Sequence, residues 1–469
     1  MKKNNIINNE FLVKPGYVPP LDKNFCPPVL ANRRFRSEVK AKGIPLAIAI
    51  EGADGIVSAY HMTVFPDSDK RSSANFKIVE RIVKFLLWQR GGCRIVICGS
   101  ESVGNHIKAV YSKTGARAFD IDLMSGVYEK PFIVEVATIS QIPSDRSSAK
   151  PLGRHLDGCR IGFDLGASDR KVAAIVDGKS VFSEEVVWNP KEQSNPQYHY
   201  DEIMAGLKKA ASHMPRVDAI GGSAAGIYVN NNVRLASLFR GIPEDLFKTR
   251  IHGLFFEMKN EWNGIPFEVI NDGEVTALAG SMSLNVNRVL GIAMGSSLAA
   301  GYIDKKGNVT GWLDELAFTP VDYHPDAPAD EWSGDQGIGA QYFSQVAVNR
   351  LAVKAGIKPD ENKTLPERLK DIQDLMNRGD ERAQAVYETI GIYFGYTVAH
   401  YADFYDVGHI LVLGRVTSGK GGDIIIAKAE EVLKNEFPGL ADTIKLVVPD
   451  EASRRVGQAI AAASLPGIG

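Results

Sequence analysis

The sequence predicts an α/β protein whose mixed sheets fall into two lobes, with an additional α/β domain at the N-terminus. Three observations predict it. Pairs of strand-like segments alternate with helical ones along most of the chain. Three apolar segments run into loops of very small residues: FDLGAS at Phe163–Ser168, GIAMGSS at Gly291–Ser297 and ILVLGRV at Ile410–Val416. A polar stretch with two prolines, QIPSDRSSAKPLGRHLDG at 141–158, divides a first α/β unit from the rest. The 469 residues, 44% hydrophobic and 23% charged, have the balance of globular domains and the length of about two or three of them.

Residues 1–45 carry Pro15, Pro19, Pro20, Pro27 and Pro28 and suggest an extended arm. The domain at 46–150 starts with PLAIAIEGADGIVSAYHMTVF, two strands joined by a turn around Gly52–Gly55. An amphipathic helix follows, with Phe76, Val79, Ile82, Val83 and Leu86 at helical spacing, then the short strand RIVICGS. The first lobe, 159–283, holds the strands of RIGFDLGASDRKVAAIVDGKSVFSEEVVW, a helix at Tyr200–His213, the strand VDAIGGSAAGIYV and the strand–loop–helix PFEVINDGEVTALAGSM. The second lobe, 284–469, holds the strand pair RVLGIAMGSSLAAGYIDKKGNVTGW, a long helix at 383–405 and HILVLGRVTSGKGG as strand and loop. Its C-terminal helix is expected to return to the first lobe.

Composition narrows the function classes. The net charge of −2 does not suit a nucleic-acid binder, although residues 1–150 hold 22 Lys and Arg against 14 Asp and Glu. Part of that excess lies in Asn32–Lys42, NRRFRSEVKAK, where acidic and apolar interruptions indicate a solvated helix face. No run is long enough to span a membrane, and MKKNNIINNE lacks the apolar stretch of a secretory signal. Cys26, Cys93, Cys98 and Cys159 are too sparse for a disulfide framework and indicate reduced thiols in the cytoplasm.

Loops of small residues after strands let backbone N–H groups approach an anion closely. Three of them, with acidic residues at Asp164 and Asp272, indicate a nucleotide site built from two lobes. Asp164 suits Mg²⁺ held through water, because magnesium favours few carboxylates plus phosphate oxygens. The segment Gly414–Gly421 nearly matches a P-loop, but Gly421 stands where Ser or Thr must reach Mg²⁺. It serves better as a glycine loop under a nucleoside.

The order of these motifs resembles a known family. DLGASDRKVAAIVDG looks like the first phosphate loop of the actin/hexokinase/Hsp70-type ATPase fold, which is ribonuclease H-like. Its succession with VINDGEVTALAG, LGIAMGSSLAAGYI and HILVLGR is similar to the ROK family of sugar kinases and sugar-responsive repressors, over about residues 160–469. The resemblance implies an ATP·Mg²⁺-dependent sugar kinase. It implies Asp272 as catalytic base and Asn271, Asp272, Glu315 and Ser237 as sugar ligands. Asp164, Gly166 and Ser168 would form the first phosphate loop and Gly295, Ser296 and Ser297 the second, with Gly414 and Arg415 by the adenosine. The other role open to Asp272 is the N-cap of the helix Gly273–Ser283. The alternative function is a catalytically weak or inactive sugar- or nucleotide-binding regulator; the strand–strand–helix–strand order of the N-terminal domain is not a helix-turn-helix.

The chain departs from the family at its zinc motif. Phe318 stands at the histidine position, Glu331, Ser333 and Ile338 where the cysteines would be, and Ala340 at a second sugar glutamate, for which Asp335 or Gln341 would substitute. Zinc is therefore not expected. Asp169 stands where many members have Lys. The order within 46–150 parallels HILVLGRVTSG and suggests a degenerate half of the ATPase fold, structural in role or a contact between copies in a homodimer.

Overall fold

The computed structural model describes residues 11–146, 152–449 and 451–468. Helix α1 (Pro28–Val39) forms inside the arm expected to be extended, covers most of the helix face expected at Asn32–Lys42 and is not solvated all round, with Pro27 as N-cap and Pro28 opening the helix. Proline suits that position because its missing N–H is not needed there. Buried Val29, Phe35 and Val39 hold α1 against the core. The N-terminal unit continues with β1 (Ile44–Glu51), β2 (Val57–Val64), α2 (Ser73–Arg90), β3 (Arg94–Cys98), α3 (Glu101–Val110), α4 (Ala118–Tyr128) and β4 (Ile133–Ala137). Its sheet runs β2-β1-β3-β4.

In this sheet β1 is antiparallel to both β2 and β3, and only β3 and β4 are parallel. The unit is therefore not half of an ATPase fold. The reason is a count of reversals. Two strands precede the returning helix α2, so β3 enters opposite to β1; three strands would have made them parallel.

That three-strand arrangement occurs in the first lobe, with β5 (Cys159–Leu165), β6 (Asp169–Val176), β7 (Lys179–Val187), α5 (Pro196–Ala211) and β8 (Ala219–Ala224). A hairpin of β9 (Ile227–Val229) and β10 (Asn232–Leu235), the short α6 (Glu244–Leu246), α7 (Leu254–Glu261) and β11 (Phe267–Asn271) complete it. The sheet order is β11-β8-β5-β6-β7, with β5, β8 and β11 parallel. Helix α8 (Asp272–Leu284) leads to the second lobe: β12 (Val289–Met294), β13 (Leu298–Ile303), α9 (Gln345–Lys354), α10 (Leu365–Asn377), α11 (Glu381–Tyr401), β14 (His409–Leu413), α12 (Lys420–Glu436), α13 (Pro438–Ala441), β15 (Lys445–Val447) and α14 (Glu451–Ala463). Its sheet runs β13-β12-β14-β15, parallel from β12 onward.

Three larger cores organise these layers, with two small clusters beside them. One is continuous across the N-terminal unit and the second lobe: it joins Phe25, Phe85 and Trp88 to Phe318, Tyr342, Tyr393 and Phe404. Phe25 packs 4.6 Å from the Tyr393 ring and Phe85 stacks 4.1 Å from Phe404. Helix α2 is consequently buried all round, beyond the single apolar face its spacing predicts. Its charged residues are buried with partners: Lys84 Nζ lies 2.9 Å from Asp120 and 3.1 Å from Asp335, and Arg81 pairs with Glu80 at 2.8 Å. The first lobe has its own core. The third core packs Val275 and Leu278 of α8 with Val289, Leu411 and the alanines of α14. Helix α14 also crosses β8 at Gly221, where a Cβ would lie 1.7 Å from the Ala462 carbonyl oxygen.

Candidate active site between the lobes

The strand register gathers the acidic residues at one edge. Leu165 pairs with Ala224 and Ala224 with Asn271, so Asp164, Ser223 and the Asn271–Asp272 step share the C-terminal edge of parallel strands. Ligands of open α/β sheets bind along that edge. Asp164 is 7% exposed, and its carboxylate accepts a 2.7 Å hydrogen bond from the Ser223 hydroxyl. Burial raises its pKa against the pull of Ser223 and Lys171. Lys171 stands directly opposite Asp164 in the β5–β6 pairing, with Nζ 3.5 Å from Asp164 and 3.2 Å from Asp169. Although Asp169 occupies the position expected to carry Lys, β6 supplies a cation two residues later, on the same face of the strand.

At the head of α8 the expected roles divide. Asn271 is the N-cap: its Oδ1 accepts from the Gly273 N–H at 2.7 Å, and its Nδ2 donates to the Gly226 carbonyl at 2.7 Å. Asp272 is the first residue of the helix, half-buried, with one carboxylate oxygen 3.0 Å from the same N–H. Burial and then Asp164 push its carboxyl up to about 6. A carboxylate at this value is a ready proton acceptor near neutral pH. The amide of Asn271, expected to reach a sugar hydroxyl, is already engaged on both of its polar atoms.

The two turns expected to cradle phosphate are open. Gly166 N–H donates to the Asp169 carbonyl at 3.0 Å, its carbonyl accepts from the Trp188 indole at 2.9 Å, and Ser168 is exposed. Between β12 and β13, Gly295 N–H donates to the Ser297 carbonyl at 2.8 Å, leaving Ser296 and Ser297 exposed. Ala293 pairs with Leu413, which puts this turn beside Gly414. Gly414 has φ 102°, and a Cβ there would lie 2.3 Å from the Met294 carbonyl, so only glycine fits. Arg415 is exposed beside it, its carbonyl accepting from Gln373 at 2.8 Å. Gly421 packs under the Tyr387 ring, where a P-loop would need room for phosphate.

Glu315 and Ser237 face one cleft of about 570 Å³, together with Arg234, Phe318 and Trp332. Phe318, at the expected histidine position, stacks on Trp88 at 4.2 Å and meets Trp332 edge-on at 5.5 Å. Ile338 is buried, and the Ser333 hydroxyl donates to Asp330 at 2.8 Å. Among the described residues no three His, Cys, Asp or Glu side chains are arranged to hold a metal. Asp335 does not replace the missing sugar glutamate. It is buried in ion pairs with Lys84 at 3.1 Å and Arg117 at 2.7 Å. Gln341 is buried 3.5 Å from Asp330, away from this cleft.

Sequence reasoning did not single out Glu274 or Asp314, which lie beside Glu315. Burial raises Glu274 to about 8, with Asp314 adding to it, and raises Asp314 to about 7. Burial, Asp272 and Asp314 raise Glu315 to about 7. Asp314 donates its backbone N–H to Gln89 and accepts from the Tyr405 hydroxyl at 2.7 Å, so it ties the second lobe to α2.

No family model and no curated protein sequence matches the chain. Solved structures do. A ROK hexokinase from Thermus thermophilus aligns with a TM-score of 0.52 at 18% identity, over 65% of this chain and 97% of its own. A ROK family transcriptional regulator, a homolog of the E. coli MLC protein, aligns with a TM-score of 0.53 at 19% identity, over 66% of this chain and 79% of its own. At such identities the likeness is one of fold. Over about two thirds of its length the chain therefore has the two-lobed, actin-like ATPase fold found in ROK proteins, preceded by an α/β unit of different topology.

Proposed function

We propose that the protein phosphorylates a sugar hydroxyl with ATP and Mg²⁺, with Asp272 as general base. The observation that carries this reading is the state of Asp272. It stands half-buried at the head of α8 with its carboxyl raised to about 6, while Asn271 does the capping. The helix N-terminus favours the ionised form, and burial keeps it basic enough to accept a hydroxyl proton. The turns at Gly166–Ser168 and Gly295–Ser297 offer exposed backbone and hydroxyl donors for phosphates, and the loop at Gly414–Arg415 lies beside the second. Lys171 and Ser223 orient Asp164, the residue suited to hold Mg²⁺ through water. Bound nucleotide supplies the phosphoryl group; Asp272 takes the sugar proton, and positioning accounts for most of the rate. Glu315 and Ser237 line the cleft from its two sides and orient the sugar. Among the described residues no helix is long and apolar enough to cross a membrane, and the four cysteines are buried and unpaired; we place the protein in the cytoplasm.

A coupled assay of ADP release over hexoses, amino sugars and polyols tests the reading, with Asp272→Asn as the control. The second reading, a sugar-binding regulator without turnover, draws support from the missing second glutamate and the hexokinase and regulator folds fitting equally well. Saturable sugar binding with no ADP release from any of these substrates would establish the second reading.

A further inference from the structure

Helix α2 sets Lys77, Arg81 and Lys84 at positions i, i+4 and i+7, so their side chains share one face. That face meets the start of α4 and the 322–336 loop of the second lobe, and a cavity of about 290 Å³ lies at the junction. Lys77, Arg81, Arg117 and His324 line it, with Asp322 and Asp335 as its acids. No described residue lines both this cavity and the 570 Å³ cleft.

Behind the wall the buried charges balance. Glu80 pairs with Arg81 at 2.8 Å and with Arg117 at 2.6 Å. Asp335 pairs with Arg117 at 2.7 Å and Lys84 at 3.1 Å, and Asp120 pairs with Lys84 at 2.9 Å. These carboxylates and cations are equal in number, and Lys77 is the cation left over. It is half-buried and makes no hydrogen bond or ion pair with a described residue. Burial, with Arg81 adding, lowers its ammonium to about 8 against the pull of Glu80 and Asp335.

Further donors on this wall are free. Arg81, 3% exposed, places Nε and Nη2 on Glu80 and Asp335, and its Nη1 has no partner among the described residues. Arg117, 7% exposed, places Nε and Nη1 on the same two acids and leaves Nη2 in the same state. His324 accepts at Nδ1 from the Asp326 N–H at 3.1 Å, so its Nε2 carries the hydrogen. The acids are engaged: Asp335 in its ion pairs, and Asp322 with the N–H groups of Cys26 and His324 and the Tyr342 hydroxyl. His106, stacked on Phe76 near Lys77, is kept neutral by burial. An uncompensated cation among open donors suits an anion. The donors come from α2, the start of α4 and the second lobe, which fits the several acceptor oxygens of a phosphate better than the two of a carboxylate.

We propose that this cavity is a binding site for a phosphate group, free or carried by a small metabolite, with Lys77 as the cation it neutralises and Arg81, Arg117 and His324 as further donors. Its volume is at the lower end for small-molecule sites and leaves room for a carbon skeleton beside the phosphate. The proposal does not depend on what the cleft binds. The loop that supplies Asp335 also carries Trp332, which lines the cleft, so the two sites share one segment.

Titration calorimetry of the full chain with inorganic phosphate, glycerol 3-phosphate and a hexose 6-phosphate tests the site. At least one of them is expected to bind at pH 7, and Lys77→Met should weaken it about 10–100-fold. Lys77 takes part in no ion pair, so the melting curve of Lys77→Met should stay close to that of the wild type, and Lys77→Arg should restore most of the affinity. Wild-type affinity should fall about tenfold from pH 7 to pH 9 as Lys77 loses its proton. Ser296→Glu should leave this binding in place, which separates it from phosphate held at the nucleotide turns. Esters binding tighter than inorganic phosphate would identify a phosphorylated metabolite as the ligand; equal affinities with the same response to Lys77→Met would identify free phosphate. No binding below about 10 mM, binding that folded Lys77→Met retains, or binding that Ser296→Glu abolishes would overturn the assignment.

Discussion

Replacing Asp272 by Asn separates what the residue costs from what it does. In the folded chain burial and the neighbouring Asp164 raise its carboxyl from 3.8 to about 6. At about 1.4 kcal/mol per pH unit this rise is worth about 3 kcal/mol, and partial exposure reduces it to about 1–3 kcal/mol. The sign follows from proton binding. Between the unfolded value and about 6 the folded state holds the proton more tightly, so stability is highest below pH 4 and declines as pH rises toward 6. Asn carries no charge, keeps a carbonyl for the Gly273 N–H and leaves Asn271 as cap. Asp272→Asn should therefore match the wild type at pH 4 and exceed it by about 1–3 kcal/mol at pH 7.5. Turnover with any sugar substrate should fall about 10²–10⁴-fold, with ATP affinity little changed. Urea unfolding across pH 4–8 reads the first effect, and ADP release reads the second. A variant less stable than wild type at pH 7.5, or one that retains most turnover, would refute the placement or the role.

In Ser296→Glu a carboxylate enters the turn beside Gly295 and repels bound phosphates; calorimetry should show ATP·Mg²⁺ affinity at least about tenfold weaker, and unchanged affinity in the folded variant would remove this turn from the site. Lys84→Met leaves Asp120 and Asp335 buried without their ammonium and should cost about 3–5 kcal/mol in urea unfolding, whereas a loss under about 1 kcal/mol would mean the surrounding arginines already balance them. Protein purified without added metal and exposed to chelator should carry substoichiometric zinc by elemental analysis, because Phe318 and Ile338 stand in apolar packing; zinc retained near one per chain would contradict this.

What the sequence made legible was local. Strand alternation and the small residues after β5, β12 and β14 depend only on neighbouring positions, and the structure places those turns at the strand ends where they were expected. The start and the burial of helix α1 were hidden: Asn32–Lys42 suggested a solvated helix face, but five prolines suggested extended chain before it, although a proline at the first helical position is favourable. The burial of α2 was hidden for a different reason. Its charged residues look solvent-facing until Asp120 and Asp335, remote in sequence, are brought against Lys84. The same blindness made Asp335 look like a sugar ligand: spacing from nearby glycines carries no information about a partner on α2. Lys171 had a readable signal, since it alternates with Asp169 on β6, but the fact that Asp164 lies opposite it depends on register. The carboxyls of Glu274, Asp314 and Glu315 converge only after α8 and the β13 side of the second lobe meet.

The cores also rank the joints that the N-terminal unit makes. Separating the N-terminal unit from the second lobe would expose the face that holds Trp88, Phe85 and Phe404, at about 1.5–3 kcal/mol for each large side chain uncovered. Those two parts therefore behave as one block. Toward the first lobe the N-terminal unit sets α4 against the β9–β10 hairpin, and Glu129 pairs with Arg234 and with His252 at 3.0 Å. Glu129 is more than half exposed, and such surface pairs contribute about 0–1 kcal/mol. Of the two joints made by the N-terminal unit, the one toward the first lobe is thus the weaker, and the walls of a small cavity face each other across it, with Arg90 on one side and Asn271 and Gly226 on the other; the two lobes themselves are held together by α8 and α14. The added N-terminal unit then stiffens one wall of the cavity and supplies part of it, and on the proposed function its loss would be felt at Glu315 and Asn271 before the turns at Gly166–Ser168 and Gly295–Ser297.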